Sequence, residues 1–190
     1  MKDVTTVTLD WKGPFSLDTA DGRGDFKPPN EQGVYLWTIP KDGDFKIAYV
    51  GEAKDLAARL YQHFHFLLGG GYELYATKSL RAGVKPTDAI CEYKPGQTQL
   101  FQDFVGDFEW LSQLALRNLH SYRFFWAKMG DHDDRTRLLA ESALIERAID
   151  QEQPLQNERV SRRPNSEHPI RVVSKFDELA PSALAGPLKY

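Results

Sequence analysis

Apolar residues gather in short β-branched and aromatic runs up to about residue 53, and recur at helical spacing after it. The runs Gly33–Pro40 (GVYLWTIP) and Phe45–Val50 (FKIAYV) have the composition of strands. Between them stands Lys-Asp-Gly-Asp, and because Asp-Gly accepts positive φ it predicts a tight antiparallel hairpin. Past Gly51, the positions Leu56, Leu60, Phe64 and Leu67 predict a helix. Arg59 and His63 sit one turn apart beside that stripe, so both can face the sheet. The run SYRFFWAKM, residues 121–129, predicts a third strand. GDHDD then supplies a turn and a cap before a helix over 135–151, which Pro154 ends.

On a wheel of that last helix, Leu138, Ser142, Ile145 and Ile149 form an apolar stripe, and Glu146 falls inside its edge. A carboxylate there is costly unless it pairs with a cation such as Arg59 or a metal ion. Glu141 lies further round, with the better claim to solvent. The opening stretch to Gln32 is rich in Gly, Pro and Asp and reads as a strand or two with loops around the core. Residues 67–120 are loop-rich and then helical and aromatic, the pattern of an insertion. Phe101, Phe104, Val105, Phe108, Trp110, Leu111 and Leu114 are too many apolar groups to leave in water, so they pack on the core or on a partner, a second copy included.

Composition narrows the function classes. The chain has 190 residues, 41% hydrophobic and 27% charged, which suits one globular domain with a real core. No apolar run is long enough to span a bilayer and the N-terminus lacks a signal-peptide core, so the expectation is a cytoplasmic protein with no membrane partner. Its single Cys91 excludes an internal disulfide and a cysteine zinc finger. The net charge of -3 argues against indiscriminate coating of nucleic acid. Basic residues do crowd near the end, where Arg159, Arg162 and Arg163 are placed to meet a phosphate backbone.

Gly33-Val34-Tyr35 and Tyr49-Val50-Gly51, followed by Arg59, His63, Glu146 and the Pro154-x-x-Asn157 segment, resemble the GIY-YIG nuclease superfamily, with valine in place of isoleucine. The resemblance covers 33–66 and 121–157, with 1–32 and 158–190 as extensions of a single domain 1–190 and 67–120 as the insertion. It implies a mixed α+β fold: a small three-stranded antiparallel sheet flanked by helices, carrying a large, mainly helical insertion. The activity implied is hydrolysis of DNA phosphodiester bonds with Mg²⁺ or Mn²⁺. By that match Glu146 is the metal ligand, with Glu141 as the fallback register, and Arg59 clamps the scissile phosphate. Tyr35 is the general base supported by Tyr49, with their roles open to exchange; His63 assists Tyr35 or binds phosphate, and Asn157 braces the site. Lys54 is a further candidate phosphate contact. A base of this type requires a phenol held well below its usual pKa of about 10, a task for nearby cations. The alternative is a GIY-YIG fold that binds nucleic acid or protein without cutting.

Overall fold

The computed structural model of the chain describes residues 4–17, 26–87, 89–91, 102, 105–156, 169–177 and 179–189. In chain order its strands and helices are β1 (Thr5–Phe15), β2 (Gly33–Lys41), β3 (Asp44–Ala53), α1 (Leu56–Leu68), β4 (Leu74–Tyr75), α2 (Thr77–Arg81), β5 (Ala89–Cys91), α3 (Phe108–Ser121), β6 (Arg123–Lys128), α4 (Asp134–Asp150), β7 (Ile170–Phe176) and β8 (Leu188–Lys189). The fold is mixed α+β with a mostly antiparallel sheet. The β2–β3 turn forms where Asp42 and Gly43 take φ of 51° and 79°, conformations that Asp-Gly tolerates. Asp55 and Asp133 cap α1 and α4 by accepting from the amides of Ala58 and Thr136.

The sheet is larger than the three strands expected. Six strands run in the order β3-β2-β6-β1-β7-β8. The expected hairpin and third strand form one end, with β2 antiparallel to both β3 and β6. Beyond β6 the N-terminal strand β1 adds antiparallel, and the C-terminal β7 lies parallel to β1 from Thr5–Ile170 to Trp11–Phe176. Burial explains the extension. Val7, Leu9 and Trp11 of β1 are buried while Thr6, Thr8 and Asp10 between them are exposed, so β1 has one face that must be covered.

One face of the sheet packs on α4 and on a 3₁₀ turn at Ser182–Leu184, around Val34, Leu36, Phe125, Leu144 and Ile145. The other face packs on α1, α3 and the insertion, around Tyr35, Trp37, Leu60, Phe64 and Phe124. Strand alternation sends Val34 and Leu36 to the first core and Tyr35 and Trp37 to the second.

The insertion carries the short strands β4 and β5 as well as helices, so "mainly helical" describes it only in part. The Asn118 side chain ties it together, accepting from the Tyr75 amide at 3.0 Å and donating to the Tyr75 carbonyl at 2.8 Å. Leu111 and Leu114 pack inward, whereas Val105, Phe108 and Trp110 stay more than half exposed; Phe101 and Phe104 fall outside the described residues. Among the described residues no helix is long and apolar enough to cross a membrane.

Candidate functional site

The two tripeptides meet where Tyr35 lies over Gly51. In the β2–β3 pairing Tyr35 stands opposite Gly51, and Trp37 opposite Tyr49. A Cβ on Gly51 would lie 2.3 Å from Tyr35 Cζ, so the tyrosine ring lies directly over the bare α-carbon. A Cβ on Gly33 would lie 2.2 Å from the Ala127 carbonyl oxygen and 2.9 Å from Leu56 Cδ1. The first glycine admits β6 and α1; the second admits the phenol. Tyr35 and Tyr49 then stack with centroids 6.1 Å apart.

Helix α1 brings His63 against this pair. Tyr35 Oη is 2.6 Å from His63 Nε2, and His63 Nδ1 is 2.6 Å from the Tyr72 hydroxyl. Tyr35 is 1% exposed and His63 3% exposed. Burial, reinforced by the Arg59 charge, pushes His63 down to about 3, so the ring is neutral and one nitrogen donates while the other accepts. Arg59 is half-buried, donates from Nη1 to Gln62 Oε1 at 2.6 Å, and hydrogen-bonds the hydroxyls of Tyr35 and Tyr49.

The expected lowering of the tyrosine pKa is reversed. Burial raises Tyr35 far above its ordinary value, and raises Tyr49 and Tyr72 as well, despite the opposing charge of Arg59. A phenol this deeply desolvated holds its proton, and at 1% exposure Tyr35 cannot itself meet a water. Tyr49 is half-buried and lines a cavity of about 810 Å³ together with Trp37, Arg59, His63, Tyr72 and Tyr122.

The carboxylate that reaches this group is Glu141. Its charge acts on Arg59 and Tyr49, and its side chain accepts the Glu52 backbone N–H. Burial first, and then the charge of Glu52, raise Glu141 to about 7 against the pull of Arg59 and Arg137. Glu146 is half-buried and stands about 140° around α4 from Glu141, at 3.6 residues per turn. Of the stripe read from the wheel, Ser142 and Ile145 are buried and Ile149 packs against the core, whereas Leu138 is 40% exposed and Ala140, Ala143, Leu144 and Ala148 are buried as well. Helix α4 is covered on most sides, which leaves a wheel little contrast to read.

Glu52 is in turn held by Arg137. That guanidinium ion-pairs with Glu52, contacts Asp134 at 3.1 Å and donates to Gln32 Oε1 at 2.6 Å. Lys54, expected at phosphate, is exposed and pairs with Asp134 at 2.6 Å. The residues on either side of Pro154 hydrogen-bond the open edge of β3: Gln156 N donates to Ala48 O at 2.7 Å, and Gln153 Oε1 accepts from Ile47 N at 3.0 Å. Ala48 is the extra residue where the β2–β3 register shifts. Asn157, Arg159, Arg162 and Arg163 fall outside the described residues.

Tyr72, Glu52 and Arg137 escaped the sequence reading. Tyr72 reaches His63 from the insertion, and nothing in GGGYEL announces that contact. Arg137 stands one turn before Glu141, a spacing visible in the sequence. Among the described residues no group of three or more His, Cys, Asp and Glu is placed to hold a metal ion. No family model matches the chain, and neither a curated protein nor a solved structure matches it.

Proposed function

We propose that the chain is a metal-dependent endonuclease of GIY-YIG type acting on DNA. The observation that carries this reading is the convergence of Tyr35, Tyr49, Arg59, His63 and Glu141 at one end of the sheet, from the two tripeptide strands and the two flanking helices. A purely structural aromatic cluster has no need of a half-buried guanidinium facing an open cavity, or of a carboxylate whose charge is disfavoured where it stands.

Glu141, in place of the Glu146 of the sequence reading, is the residue for a divalent cation. Its donor set fits a hard ion: a partly buried carboxylate beside Glu52, raised to about 7, is a site whose charge a cation would relieve. Mg²⁺ bound there would neutralise the departing 3′ oxygen. Arg59 holds the scissile phosphate, where its planar fork meets two oxygens and stabilises the charge that grows on them.

Water attacks phosphorus as the bond to the 3′ oxygen breaks. Its proton passes to Tyr49, which lines the cavity, as Tyr49 hands its own to Tyr35, Tyr35 to His63 Nε2, His63 its Nδ1 proton to Tyr72, and Tyr72 its proton to water in the cavity, so the imidazole is neutral before and after. The burial of Tyr35 thus moves it from base to relay, the exchange of roles that the sequence left open. Each phenol gives up a proton as it receives one, so none has to exist as a free phenolate, which burial forbids. Tyr72 closes the chain on the far side of the imidazole.

A plasmid-nicking assay tests the reading. With Mg²⁺ or Mn²⁺ the chain converts supercoiled DNA to the open circle, and Arg59→Ala and EDTA each abolish the conversion. Absence of any metal-dependent nicking by the parent chain ends the nuclease reading.

A further inference from the structure

Two cationic side chains stand among the described residues that line the cavity of about 810 Å³, Arg59 from α1 and Lys85 from the insertion. His63 beside them is neutral. Glu73, the one carboxylate among those residues, accepts from the Tyr75 hydroxyl, and the wall keeps a positive balance. A concave wall of that sign gathers anions.

The charge of Lys85 is uncommitted. Among the described residues no carboxylate pairs with it. Lys54, which shares a second hollow of about 560 Å³ with Arg59, is by contrast held by Asp134 at 2.6 Å. The backbone that carries Lys85 is nevertheless fixed on both sides. Before it, the Nζ of Lys41, the last residue of β2, donates to the Ala82 carbonyl, and Gly83 takes φ of 68° with the place of a Cβ filled by the Lys41 stem. After it, Pro86 is buried. The segment is therefore ordered before any ligand arrives, and only the exposed Lys85 side chain has freedom left to lose.

We propose that Lys85 is a second phosphate contact, so that one DNA strand lies with its scissile phosphate on Arg59 and a neighbouring phosphate on the Lys85 ammonium. The inference rests on the reading of Arg59 as the phosphate clamp. The two cations divide the work by their chemistry. The Arg59 guanidinium is half-buried and held by Gln62 and the tyrosine hydroxyls, which suits a fixed, two-pronged grip on the reacting group. The Lys85 ammonium is an exposed point charge on a flexible stem, which suits a backbone phosphate whatever the sequence. The insertion thus grips the substrate as well as packing on the core.

The test is the salt dependence of binding by the full chain in EDTA, where no cutting occurs. Fluorescence anisotropy follows labelled duplexes of about 20 bp in two unrelated sequences, with the parent, Lys85→Gln, Lys85→Arg and Lys175→Gln. Lys175 is exposed on β7, across the sheet from the site, and its replacement removes the same charge. Losing one phosphate contact lowers the slope of log affinity against log salt by about 0.9, so between 50 and 200 mM salt the parent should lose about 3.5-fold more affinity than Lys85→Gln. The loss of slope should be the same on both sequences, as for any backbone contact. Lys85→Arg and Lys175→Gln should keep the parental slope. A parental slope in Lys85→Gln overturns the inference, and so does an equal drop in Lys175→Gln, which makes the effect one of net charge. A parent chain that binds neither duplex overturns it as well. A chain that shows the Lys85 effect but never nicks DNA keeps this inference and loses the nuclease reading, whereas one that nicks with Mg²⁺ while Lys85→Gln binds with the parental slope does the reverse.

Discussion

Gly51→Ala puts the link between the tripeptides under direct strain. The added methyl would stand 2.3 Å from Tyr35 Cζ and 2.4 Å from its hydroxyl oxygen, where ordinary contact begins near 3.4 Å, so the ring must retreat by about 1 Å. It has little room, lying stacked on Tyr49 with centroids 6.1 Å apart and against His63 at 5.7 Å. Overpacking of this kind costs about 1–3 kcal/mol. Displacing the hydroxyl also stretches its 2.6 Å bond to His63 Nε2 and leaves a buried nitrogen poorly matched, for about 1–3 kcal/mol more. The sum, about 2–6 kcal/mol, lowers the melting temperature by on the order of 10 °C for a chain of this size. Gly106→Ala is the control, since a Cβ there meets nothing within 4 Å. Differential scanning calorimetry of the three proteins reads the effect, and single-turnover cleavage of the folded fraction shows whether the relay suffers with it. A Gly51→Ala protein that melts within about 1 °C of the parent refutes the placement of Tyr35 over Gly51.

Arg137→Ala leaves Glu52 without its buried partner and removes the anchor of the strand end beneath Glu141; a loss of about 3–5 kcal/mol is expected in urea unfolding. Glu141 gives stability a pH signature. Its carboxyl moves from an ordinary 4.5 to about 7, so the folded chain holds a proton that the unfolded chain has released, and stability falls as pH rises from about 4.5 to 7. Converted in full the shift is about 3 kcal/mol, and allowing for partial solvent access it leaves about 1–2 kcal/mol. Melting curves of the parent and Glu141→Gln should diverge by that amount across the window, with Mg²⁺ recovering the loss only in the parent. Tyr72→Phe cuts the relay at its outer end, and cleavage should slow by about tenfold with the melting temperature little changed, while binding of DNA is untouched.

The hairpin and α1 were legible because their signals are local. Asp42-Gly43 fixes the turn, and Leu56, Leu60, Phe64 and Leu67 are all buried as their spacing requires. Strand β6 and helix α4 came within two residues of their expected ends for the same reason. The six-stranded sheet was not legible, because the parallel pairing of β1 with β7 joins residues about 165 positions apart and no local pattern specifies it. Which carboxylate of α4 faces the tyrosines was hard to read for a different physical cause: α4 is buried on most sides, so polarity around it does not mark which face meets the site, and it is Glu141, the alternative register, whose charge acts on Arg59 and Tyr49. Tyr72 belongs to a contact made only in three dimensions. The chemistry of the tyrosines also changed sign, because sequence shows the cation beside the phenol but not the burial that outweighs it.

The central claim is that Glu141 completes a hydrolytic site with Arg59 and the tyrosines. Its most direct test is the initial rate of plasmid nicking at saturating Mg²⁺ by the parent, Glu141→Gln and Glu146→Gln, each matched for melting temperature. The site as described predicts a loss of about 10²-fold or more for Glu141→Gln, the scale of removing one group that stabilises developing charge, with Glu146→Gln within a few-fold of the parent. Nicking by Glu141→Gln at the parental rate contradicts it.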